Sequence, residues 1–150
     1  MLQRIQSIWL LLVAAFAAIT FKFPFYTGNR VVAGTDNTAA SGLPPATEFV
    51  SLDATTTVWL SILTVLAGAI AFISIFLFDN RKLQLKLCYL GIFLSVILLM
   101  MYFIEMSSHF TNGSISLWCI FYFAILGFYI LAARGIWKDD KLVKGMDRLR

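Results

Sequence analysis

Four apolar stretches, at about residues 5–21, 57–78, 85–104 and 115–133, alternate with segments rich in glycine, proline, serine and charge. Each holds roughly 17–22 residues, the number needed to cross ~30 Å of hydrocarbon at ~1.5 Å per residue. None carries a polar stripe at the helical period, so each would be apolar all round, as lipid-embedded helices are. Alternation at period two is also missing, which excludes a transmembrane β-barrel. The pattern therefore predicts an all-α membrane protein: one domain over residues 1–150, folded as an antiparallel bundle of four transmembrane helices.

The basic residues orient that bundle. Arg4 precedes the first stretch, Arg81, Lys82 and Lys86 lie between the second and third, and Arg134, Lys138, Lys141, Lys144, Arg148 and Arg150 follow the fourth. Ten of the twelve lysines and arginines thus share one side, against Lys22 and Arg30 on the other. The positive-inside rule makes that side cytoplasmic and predicts both chain ends inside. Trp59 and Trp118 would mark the outer interface, Trp137 and Trp9 the inner one. Arg4, the apolar run and Ala15-Phe16-Ala17 also imitate a cleaved signal peptide, but a lone basic residue and apolarity continuing through Phe21 favour a retained span.

The connections are uneven. Residues 22–56 form a long outer loop punctuated by Pro24, Gly28, Gly34, Gly42, Pro44 and Pro45. Phe23–Phe25 and Arg30–Ala33 around Thr27-Gly28-Asn29 allow a short β-hairpin there, with an irregular loop as the alternative. Residues 79–84 form a tight inner turn. At 105–114, Asn112-Gly113-Ser114 reads as a turn rather than a glycosylation acceptor. The segment 134–150 is charged yet keeps Ile136, Leu142, Val143, Met146 and Leu149 within roughly 140° of one helical face. A basic amphipathic tail on an anionic leaflet is one expectation, and a solvated helical tail the other.

Composition reinforces the membrane reading: 60% of residues are hydrophobic and 13% charged, where soluble domains are about half apolar and a quarter charged. The net charge of +4 is explained by topology, so nucleic acid is not an expected partner. Cys88 and Cys119 fall near opposite faces of the bilayer and read as buried thiols, not a disulfide. The sequence has no metal-ligand set, and a cofactor is not expected.

Three stretches carry a family resemblance: Met1-Leu2-Gln3-Arg4-Ile5-Gln6-Ser7-Ile8-Trp9-Leu10, Asn80-Arg81-Lys82-Leu83-Gln84-Leu85-Lys86-Leu87, and the tail Lys138-Asp139-Asp140-Lys141-Leu142-Val143-Lys144 with Asp147-Arg148-Leu149-Arg150. In these the chain resembles a family of small four-helix bacterial inner-membrane proteins of the Bacteroidetes type, known as a domain of unknown function. Relatives tend to have Asn before the first Arg of the tail, where this chain has Ala133. The resemblance implies the four-helix fold and a multi-pass location in the bacterial inner membrane, and it transfers no catalytic residue. Its polar positions gather at the cytoplasmic side, which makes Arg4, Arg81, Lys82, Lys138, Lys141, Lys144 and Arg148 a candidate contact face.

Glu105 and His109, four residues apart at the outer end of the third span, are weaker candidates. Two such groups do not complete a metal site. No nucleophile elbow, Walker loop or paired-carboxylate motif occurs, so an enzyme is not expected. Small residues at helix-packing spacing (Ala14/Ala18, Thr64/Gly68, Ala67/Ala71, Gly91/Ser95) suit close contacts within the bundle or in an oligomer. The functional expectation is a non-catalytic scaffold or accessory subunit with a membrane-protein partner or a second copy of itself. An oligomeric transporter or channel is the alternative, though the scarcity of intramembrane charge speaks against ion coupling.

Overall fold

A computed structural model describes residues 3–31, 47–77 and 80–147. The elements, in order, are α1 (Gln3–Ile19), β1 (Tyr26–Val31), β2 (Thr47–Leu52), α2 (Val58–Phe76), α3 (Arg81–His109), β3 (Phe110–Ile115), a single 3₁₀ turn (Leu117–Cys119) and α4 (Ile120–Asp147). The helices run up, down, up and down, with α1 packed on α2 and α4, and α3 on α2 and α4. Three segments are long and apolar enough to cross a membrane: Val58–Phe76, Lys82–His109 and Leu117–Leu142. The shorter α1, with 17 residues, is about 25 Å long.

Local chemistry fixes where each helix stops. After Ile19 the chain turns through Thr20–Phe23, and Pro24, which has no N–H, cannot extend the helix. The Asp53 carboxylate accepts from the Thr55 amide at 2.8 Å and the Thr55 hydroxyl at 2.6 Å. Thr56 Oγ1 lies 3.2 Å from the same carboxylate oxygen and accepts from the Asp53 amide at 2.9 Å. This Asx turn leads β2 into α2. At the other end, the Gln84 side-chain amide donates to the Ser74 carbonyl at 3.1 Å, filling one of the acceptors left open where α2 ends and stapling the α2–α3 hairpin. Hydroxyls within the helices bond back to their own turns: Thr64 to Leu60 O at 2.7 Å, Ser74 to Ile70 O at 2.7 Å and Ser95 to Ile92 O at 2.8 Å. They therefore sit in an apolar interior without an unmet donor.

The sheet corrects the all-α expectation. It has three antiparallel strands in the order β2-β1-β3. The expected turn at Thr27-Gly28-Asn29 instead lies inside β1, and Asn112-Gly113-Ser114 lies inside β3. These glycines serve close approach rather than chain reversal. Gly28 pairs directly with Gly113, and a Cβ on Gly113 would meet Gly28 Cα at 2.6 Å and the Tyr26 ring at 2.8 Å. Residues 32–46, the centre of the expected outer loop, lie outside the described residues, as does Asp79 of the inner turn.

The core has two parts. One, nearer the chain ends, gathers Leu10, Val13, Ala17, Ala71, Cys88, Ile125, Tyr129, Ala132 and Ile136. The other, beneath the sheet, joins Phe25 and Leu52 to Leu60, Leu98, Tyr102 and Tyr122. Both cysteines are free, and they belong to different parts of the core. Among the described side chains of α1 the buried positions are Leu10, Val13 and Ala17, followed by Thr20 in the turn after it, while Ala18, expected at a helix contact, is exposed. Ala17 meets Gly68 instead: a Cβ on Gly68 would lie 3.2 Å from that of Ala17. Around the outside, side chains such as Leu66, Phe72, Phe93, Met100, Phe123 and Leu131 are exposed. So broad an apolar surface would be costly in water and costs nothing in hydrocarbon.

The expected tail is not a separate element, since α4 runs unbroken through 28 residues, about 42 Å. Its Ile136 is core, Asp139 turns inward and is engaged there, and Leu142 is exposed. Leu149 lies outside the described residues.

Candidate functional site

Antiparallel packing brings the start of α1, the end of α2, the start of α3 and the end of α4 to one end of the bundle, and the sheet to the other. The candidate cationic face is assembled at the first of these ends. Arg4 lies in the first turn of α1, Arg81 and Lys82 open α3, and Lys138, Lys141 and Lys144 lie on the last turns of α4. Lys82, Lys86, Arg134, Lys138 and Lys141 are exposed. Arg148 lies outside the described residues. Lys141 Nζ stands 5.6 Å from the centre of the Trp137 ring, a cation–π distance. Trp137 and Trp59 are exposed as interface residues should be, whereas Trp9 is half-buried and stacks on Phe128 at 5.5 Å.

Glu105 and His109 meet at the sheet end. α3 extends far enough for the carboxylate and the imidazole Nε2 to lie 3.4 Å apart on consecutive turns. The pair is partly exposed, where such contacts contribute about 0–1 kcal/mol. Among the described residues, no third histidine, cysteine or carboxylate joins them in a metal-holding group.

Sequence reasoning passed over three tyrosines, because they look like ordinary members of apolar runs. Among the described residues, Tyr102, Tyr122 and Tyr129 are the largest fully buried side chains. The Tyr122 hydroxyl lies 3.0 Å from the Phe23 carbonyl and 3.2 Å from that of Thr20, sharing its proton where α1 has just ended. Tyr129 reaches from α4 to the diagonally opposite helix, where its hydroxyl donates to the Ala67 carbonyl of α2. Its ring passes over Gly91 of α3, and a Cβ at that position would overlap it. Tyr102 stands edge-on to Tyr122 with ring centres 4.6 Å apart, and its buried hydroxyl has no hydrogen-bond partner among the described residues. The only hint in the sequence is the choice of Tyr over Phe or Leu in a lipid-length segment, since a buried phenol generally needs a partner.

An apolar exterior, a tyrosine-braced interior and charge gathered at one end define the class: a helical bundle of membrane type. Within that class, the chain belongs to the family described as a domain of unknown function, DUF4293, which matches residues 2–149. Neither a curated protein nor a solved structure matches it.

Proposed function

We propose that the protein is a four-pass integral protein of the bacterial cytoplasmic membrane, with both chain ends inside, that acts as a non-catalytic scaffold or accessory subunit. The observation that carries this reading is the separation of roles along the bundle axis. One end is cationic, the other is capped by a sheet, and buried tyrosines brace the interior between them, Tyr129 reaching across the axis to α2 and Tyr122 holding the end of the neighbouring α1. We therefore assign its working surfaces to its two ends. Ten of twelve basic residues at one end support the inward orientation of that end. At about 25 Å, α1 crosses with the help of its flanking turn and slight local thinning of the bilayer.

Two measurements test the reading. Reporter fusions at residue 80 and after Arg150 should read cytoplasmic, and fusions at Gly42 and Gly113 should read external. Purified protein in sealed vesicles should pass neither ions nor small solutes above the level of empty vesicles. An external C-terminus would overturn the topology. A flux that scales with protein content would replace the scaffold with the oligomeric channel.

A further inference from the structure

Between α3 and α4, toward the cationic end, lies a groove of about 170 Å³ lined by Tyr89, Ile92, Ile130, Ala133, Arg134 and Trp137. Its polarity is graded. Ile130, Ala133, Arg134 and Trp137 recur every three or four residues on one face of α4, so the groove runs about 10 Å along the helix. Ile92 and Ile130 line the part farther from the charged terminus. Arg134 and Trp137 lie at the end nearer the charged terminus, with an exposed guanidinium and a half-exposed indole. Lys141 stands over Trp137 at that mouth. Lys86 is exposed one turn before Tyr89 on α3. At 100° per residue, Asp139 falls on the far side of α4 and is turned inward, whereas Asp140 falls within about 20° of Ala133, so one carboxylate stands near the groove mouth against the three cations Arg134, Lys141 and Lys86.

We infer that this groove binds one anionic glycerophospholipid, with an acyl chain along Ile92 and Ile130 and the phosphodiester at Arg134 and Trp137. An apolar slot on the outside of the bundle that ends in a guanidinium and an indole ring matches the two halves of such a molecule in order. Guanidinium suits phosphate oxygens because it offers two parallel donors. Lysines 86 and 141 add the field that prefers a net anionic headgroup to a zwitterionic one. The inference rests on the membrane reading above, but not on which leaflet the cationic end faces.

The test uses the full chain in mild detergent, with bound lipid counted by native mass spectrometry during titration with phosphatidylglycerol, phosphatidylcholine or inorganic phosphate. One phosphatidylglycerol should be retained in preference to phosphatidylcholine. Arg134→Gln should weaken its retention about tenfold, equivalent to ~1.4 kcal/mol, and reduce the preference. Ile130→Trp, which fills the groove at a half-exposed position, should reduce retention of both lipids. Melting temperatures identify any variant that has simply unfolded, and Lys22→Gln at the sheet end serves as the folded charge control. Equal retention of the two lipids would overturn the inference. So would an Arg134→Gln effect no larger than that of Lys22→Gln, or displacement of the lipid by millimolar inorganic phosphate, which would make the ligand a soluble anion. None of these results depends on the reporter fusions, so the two readings fail separately.

Discussion

The same substitution, glycine to alanine, should have opposite effects at two positions on neighbouring helices. At Gly127 of α4 an added Cβ meets nothing within 4 Å. Alanine there lowers the entropy of the unfolded chain and should stabilise by roughly 0.4–1 kcal/mol. At Gly91 of α3 the new carbon would overlap the Tyr129 ring. Either the ring moves or α3 and α4 part. Overpacking of this kind costs about 1–3 kcal/mol. Losing the Tyr129–Ala67 bond adds about 0.6 kcal/mol, with ~1.7 as the upper end for hydrogen bonds within membranes. After subtracting the alanine gain, Gly91→Ala should destabilise by about 1–3 kcal/mol. Reversible unfolding in mixed micelles, followed by circular dichroism, measures both variants. A double-mutant cycle then isolates the cause: in a Tyr129→Leu background Gly91→Ala should lose most of its cost, a coupling of at least ~0.5 kcal/mol. If both alanines shift stability in the same direction, or the cycle shows no coupling, the ring does not cross at Gly91 and the account of the core is wrong.

Two further substitutions probe the same interior. Gly68→Leu should lower thermal stability in detergent by several degrees while Ile62→Ala, on the exposed face of α2, leaves it nearly unchanged, because only Gly68 abuts Ala17. Tyr122→Phe should cost about 1 kcal/mol and raise proteolysis or hydrogen exchange at Thr20–Phe23, the carbonyls it holds, without altering the cationic end. Uniform exchange changes along the chain would speak against that local role.

The helices were legible in the sequence because the membrane imposes a length and an all-apolar composition that few other environments demand. The ends of α3 and α4 were less so: Arg81–Gln84 and Arg134–Asp147 continue helices through polar residues, where hydropathy falls but helical propensity does not. The strands were hidden for a different reason. Thr27-Gly28-Asn29 and Asn112-Gly113-Ser114 carry turn-forming residues, and only pairing between segments more than eighty residues apart shows that Gly28 and Gly113 make room for one another. The cationic face was readable as a set of charges, but the groove was not. Ile92 and Ile130 look like any lipid-facing isoleucines until α3 and α4 are placed side by side, and Tyr129 resembles its neighbours until its hydroxyl is seen to reach a third helix.

The strand order has a consequence for how the chain is made. β1 and β2 both come from the connection between α1 and α2, so that hairpin can close once the first two helices have been synthesised. β1 lies in the middle, however, and its second edge waits for β3, which arrives only after α3. Until then the nascent protein presents a bare strand edge, and in a crowded cell such an edge is open to pairing with other chains. The arrival of β3 therefore acts as a latch that removes this hazard and ties the first helical hairpin to the second.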